Sequence, residues 1–174
     1  MSSMLCYIAF LRAINVGGHT VKMDHLRQLF ESFGFAGVET FIASGNVAFR
    51  APPQPTPALE QEIATGLRQA LGYAVATFIR TDAELARIAT FEAFQPAQLE
   101  TVATFNIAFL AQPLAHDLRQ KLMALTTDID DFVTDEREIY WLCRKKQSES
   151  TFSNAVLEKT LGVQATLRGI NTIQ

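Results

Sequence analysis

At 174 residues the chain has the length of one ordinary domain, or of two small ones packed together. Apolar residues make up 48% and charged residues 19%, a globular balance that excludes a disordered chain. The net charge of −3 argues against broad nucleic-acid or anionic-membrane binding, and no apolar run approaches the ~20 residues of a membrane span.

The N-terminal "MSSMLCYIAFL" has no basic leader and no small-residue cleavage site, so its apolar run is expected to be a first strand rather than a signal peptide. That strand, residues 5–11, is apolar on both alternations and predicts a central position covered on both faces. It exits into "RAINVGGHTVK". A helix is expected in "MDHLRQLFESFG", where Met23, Leu26, Leu29, Phe30 and Phe33 recur at helical spacing and Gly34 is a stop. "GVETFIA" and "NVAFR" predict a hairpin around "SG". At the end of "APPQPTP", Thr56 as N-cap and Pro57 open a second helix with Leu59, Ile63, Leu67 and Leu71 on one face and Gly72 at its end. "AVATFIR" is the fourth strand, which completes βαββαβ.

The order then repeats. A connecting helix begins at the capping box "TDAE", Thr81 to Glu84, and a less regular "FEAFQPAQLE" follows. "TFNIAFLA" is the fifth strand, Leu114, Leu118, Leu122 and Leu125 mark a helix, and "DFVT" and "EIYWLCR" pair around "DER". A helix starting near Ser150–Thr151 and the strand "VQATLR" close the second half. "LGYAVATFIR" at 71–80 matches "LGVQATLR" at 161–168, which points to an internal duplication. The expected fold is α+β: a tandem duplication of a βαββαβ ferredoxin-like unit, antiparallel sheets in spatial order 4-1-3-2 with helices packed on one face. The expected division is 1–81 and 102–174 as the two subdomains, with 82–101 as connecting helix and loop. The thirteen Phe predict cores of dry aromatic rings, and Cys6 and Cys143, in strand-like stretches, are expected to be buried, reduced thiols of a cytoplasmic protein.

Strand direction gathers the polar residues. Strand 1 and strand 2 both run toward the same sheet end, so their following loops should meet there. Arg12, Asn15, Gly17, Gly18, His19, Lys22, Ser44, Gly45 and Asn46 form the first candidate site. Paired glycines let backbone N–H groups form a concave nest, a helix start adds partial positive charge, and Arg can fork onto a phosphate or carboxylate. The competing reading is that these glycines and asparagines only turn the chain. At the opposite end of the second half, Arg144, Lys145, Asn154, Arg168, Asn171 and Thr172 form a second candidate site, or else a solvated basic turn.

"LRAINVGGHTVKM", "FIASGNVAF" and "SNAVLEKTLGVQATLRGINT" together resemble the signature stretches of the bacterial domain-of-unknown-function family 1697. The resemblance spans the whole chain. It implies a cytoplasmic bacterial protein of two ferredoxin-like subdomains, and it implies no activity. Carried over by position, the motif residues are Arg12, Asn15, Val16, Gly17, Gly18, Lys22, Met23, Ser44, Gly45, Asn46, Asn154, Leu161, Gly162, Arg168, Asn171 and Thr172. Ala13 departs from the family's glycine, and Gly169-Ile170 departs from its Asn-Trp.

Other chemistries find no pattern. There is no nucleophile elbow, no zinc spacing and no dinucleotide or phosphate-loop fingerprint, so no catalytic residue, metal or cofactor is assigned. Asp128, Asp130 and Asp131 read as a solvated loop. The leading expectation is binding of a small anionic metabolite or nucleotide at the Gly-Gly loop and Ser-Gly-Asn hairpin. The alternative is a non-catalytic interaction or assembly module whose polar turns are structural. A weaker one is single-stranded nucleic-acid binding through Phe49, Tyr140 or Trp141.

Overall fold

Every residue of β1, Leu5–Leu11, is buried from Tyr7 onward, as a strand apolar on both alternations requires. The computed structural model describes residues 3–12, 21–41 and 45–173. The chain divides into two units, Met1–Leu85 and Ala86–Gln174.

In the first unit, β1 is followed by α1 (Met23–Ser32), β2 (Ala36–Phe41), β3 (Asn46–Ala51), α2 (Thr56–Leu71) and β4 (Thr77–Thr81). The antiparallel sheet has order β2-β3-β1-β4, the arrangement predicted. One alternation of the strands, including Tyr7, Ala9, Val47, Phe49 and Ile79, packs with Leu26 and Phe30 of α1 and Leu59, Ile63 and Leu67 of α2. Phe49 lies 5.6 Å from Phe30 and 4.5 Å from Phe35 between ring centroids, so this core is built from phenylalanine rings. On the other alternation Ile8, Phe10, Phe78 and Arg80 are buried as well. The start of α2 differs from expectation. Pro55 occupies the cap with its φ already near −60°, so Thr56 is the first helical residue rather than the cap.

The capping box forms as predicted: Thr81 N–H donates to Glu84 Oε1 at 2.9 Å and Glu84 N–H to Thr81 Oγ1 at 3.1 Å. It opens α3 (Asp82–Thr90), and α4 (Pro96–Leu99) follows. The second unit continues with β5 (Thr104–Leu110), α5 (His116–Met123), β6 (Asp130–Asp135), β7 (Glu138–Cys143), α6 (Asn154–Leu161), β8 (Ala165–Gly169) and α7 (Ile170–Ile173). Its sheet has order β6-β7-β5-β8. Ala108, Ile139, Trp141 and Cys143 meet Leu122, Leu157 and Leu161 on the helical side. The opposite side is lined by aromatic rings from the connecting stretch: Phe91 sits 4.9 Å from Tyr140, and Phe94 5.5 Å from Phe105. Phe49, Tyr140 and Trp141 are each fully buried.

α6 begins later than expected. Ser153 is its cap, its hydroxyl accepting from Val156 N–H at 3.2 Å, and a 3-10 turn occupies Gln147–Glu149. Ser150 is not at the cap because its hydroxyl donates to the buried carboxylate of Asp130 at 2.9 Å.

The duplication reaches individual residues. Gly72 and Gly162 end α2 and α6 in the left-handed conformation (φ 83° and 68°), each N–H donating to a helix carbonyl at 2.9 Å. β1 and β5 share Ile-Ala-Phe-Leu in equivalent register, with Ile8 opposite Arg80 and Ile107 opposite Arg168.

Candidate functional site

The first rim is set by how β1 ends. Phe10 stands opposite Asn46. Leu11 N–H donates to Gly45 O and Arg12 N–H to Ala76 O, both at 2.9 Å, so the exit of β1 is held between the hairpin and the approach to β4. Gly45 is buried with φ +87°, a conformation that excludes a Cβ without strain. Asn46 is fully buried and its amide donates to Phe41 O at 3.3 Å, which braces the hairpin. Arg12 is half-buried. Lys22 is exposed and occupies the N-cap of α1, where its own side chain makes no capping hydrogen bond. Arg12, Gly45 and Asn46 are therefore brought together; Asn15, Gly17, Gly18, His19 and Ser44 lie outside the described residues.

The second group is dispersed. Thr104 at the start of β5 stands opposite Cys143, and Asn106 opposite Gly169, so the chain after β7 and the chain after β8 do leave at one end of the sheet. Arg144, however, is spent on internal partners: Asp131 Oδ2 at 2.6 Å, Thr101 Oγ1 at 3.1 Å and Asp128 O at 3.4 Å. Arg168 is 7% exposed and donates to Thr166 Oγ1 at 2.7 Å and Leu167 O at 2.9 Å. Burial lowers its pKa to about 10, which leaves it charged at neutral pH. Asn154 donates to Ala165 O at 2.9 Å, at the far end of β8 from Arg168. Lys145 and Asn171 are exposed and Thr172 is half-buried.

Two features escape the sequence reading. Asp130, fully buried, accepts hydrogen bonds from Trp141 Nε1, Thr127 Oγ1 and Ser150 Oγ, each at 2.9 Å. With Asp131 held by Arg144, the carboxylates of Asp130 and Asp131 belong to the framework, while Asp128 is exposed as a solvated loop residue would be. Among the described residues no group of His, Cys, Asp and Glu is arranged to hold a metal ion. The other feature is a second rim. Leu110 N–H donates to Arg137 O at 2.9 Å, the counterpart of the Leu11–Gly45 bond. Beside it lies a cleft of about 270 Å³ lined by Arg119, Asp135, Glu136 and Glu138. Glu138 stands opposite Phe109 as Asn46 stands opposite Phe10. Arg87 answers Asp135 at 2.6 Å and Glu138 at 3.1 Å. The shared Ile-Ala-Phe-Leu is the sequence signal that aligns the two rims.

A family model described as "Protein of unknown function (DUF1697)" matches residues 4–140. The chain is also similar to the conserved bacterial protein SP0830 from Streptococcus pneumoniae, at 22% identity and a TM-score of 0.73, over 98% of this chain and 96% of that one. At that identity the likeness is one of fold. No curated protein matches the chain.

Proposed function

We propose, for a chain that belongs to the DUF1697 family, that the rim where β1 leaves the first sheet binds a small anionic ligand, a phosphorylated or carboxylated metabolite or a nucleotide. The observation that supports this is the 2.9 Å bond from Leu11 N–H to Gly45 O, which holds the stems of two glycine-bearing loops side by side with Arg12 adjoining them. Arg12 supplies a forked donor, Lys22 a point charge at the start of α1, and the Gly17–Gly18 segment successive backbone N–H groups. The Asn46 amide braces the hairpin through Phe41, so its part is to fix the turn. Arg144 and Arg168 face internal partners, and the proposal is accordingly confined to the first rim. It is a proposal of binding and assigns no reaction. We place it in the cytoplasm, where the free thiols Cys6 and Cys143 stay reduced.

Thermal unfolding of the full chain against a panel of phosphorylated and carboxylated metabolites tests it. At a hundredfold excess over Kd a ligand stabilises the native state by about 2.7 kcal/mol. The wild type should shift with at least one anion, Arg12→Ala should lose that shift, and Arg12→Lys should keep part of it. A panel that moves neither protein sets the ligand reading aside. Self-association dependent on concentration would then favour the assembly module, and salt-sensitive RNA binding the nucleic-acid reading.

A further inference from the structure

The second unit contains another cleft, independent of either rim. It measures about 350 Å³ and lies between the end of α3, residues 91–94, α4, β5 and the first residue of α7. Phe91, Phe94, Leu99, Phe105 and Ile170 give it apolar walls. Phe94 and Phe105 stand 5.5 Å apart at 80°, which makes a corner with a ring face beside a ring edge. The corner is anchored from behind, because Phe105 meets Tyr140 edge-on at 6.4 Å and Phe91 packs on the same ring at 4.9 Å. Among the described residues that line this cleft, Glu92 is the one with a charged side chain. It is exposed, and no described residue gives it an ion pair or hydrogen bond.

Aromatic walls with a single unanswered carboxylate are complementary to one kind of small molecule. An anion would meet Glu92 with like charge, and a neutral hydrocarbon would leave that charge unanswered. A primary ammonium holds its hydration water strongly and gains little from phenyl rings. A cation spread over alkyl groups loses little water, covers the apolar walls and is attracted both by ring π-density and by the carboxylate. We propose that this cleft binds small alkylated ammonium compounds, with the Phe94–Phe105 corner taking the alkyl groups and Glu92 the charge.

Choline and its uncharged carbon isostere dimethylbutanol distinguish this from simple apolar binding. In amide NMR titrations of the full chain, choline should produce saturable shifts in residues 89–105 and at Ile170. The isostere should bind about tenfold more weakly, the size of a partly desolvated cation–π and charge contribution together. Glu92→Gln, at an exposed position, should unfold at the wild-type temperature and lose most of that preference. Equal binding of the two compounds, a preference that survives Glu92→Gln, shifts centred elsewhere, or no saturable shift would each overturn the proposal. The first rim shares no residue with this cleft, so these outcomes leave the anion reading untouched.

Discussion

Arg12 and Arg168 both stand at the ends of strand-like runs in the sequence, yet they have different surroundings. Arg12 is half-buried beside Gly45, whereas Arg168 is 7% exposed and donates to Thr166 and Leu167. The difference is set by register. Arg168 lies opposite Ile107, in the middle of β5, and Arg12 lies one residue beyond the end of β1. Asp130 shows the same dependence on surroundings. Its carboxylate is held by one local donor, Thr127, and two from farther along the chain, Trp141 and Ser150, and an amide in its place would set an N–H₂ against donor groups. Asp130→Asn should therefore lower stability by about 3 kcal/mol in chemical denaturation. Asp131→Asn, which removes a partly exposed pair with Arg144, should cost about 1 kcal/mol or less.

At the scale of elements, much was legible where pattern and partner lie close together. The span of β1 follows from its unbroken apolar run, the α3 start from Thr81 and Glu84, and the ends of α2 and α6 from their Leu-Gly pairs. A Cβ at Gly72 or Gly162 would meet nothing within 4 Å, so only the left-handed backbone asks for glycine. Gly72→Ala and Gly162→Ala should each cost about 1 kcal/mol, and by nearly the same amount, when unfolding midpoints are compared. Gly66 is different: a Cβ there would lie 2.7 Å from the ring of Phe33, the residue that follows α1, so that ring would have to shift. What was not legible depends on distant partners. Ser150 and Ser153 are equally good caps by residue type, and only the buried Asp130, twenty residues before Ser150, takes one of them away.

Over the whole chain, duplication accounts for both the fold and the divergence of its ends. Each unit closes the exit of its first strand with the same backbone bond, Leu11 to Gly45 and Leu110 to Arg137. The equivalent positions then differ in charge: Asn46 in one sheet, Glu138 with its partner Arg87 in the other. Strand directions were enough to bring Arg12 and Gly45 together, since topology alone fixes which loops share a sheet end. The acidic second rim was missed because its alignment rests on Ile-Ala-Phe-Leu, a repeat at the starts of the sheets rather than at the helix–strand joints. Anion binding at the first rim is the function proposed for the duplicated fold. Amide NMR mapping of the full chain with the best-stabilising phosphorylated compound tests it most directly. Saturable shifts are expected at Leu11, Arg12, Lys22, Gly45 and Asn46 that disappear in Arg12→Ala, while Leu110 and Glu138 stay still. Shifts absent from Arg12 and Gly45, or unchanged in the variant, would contradict it.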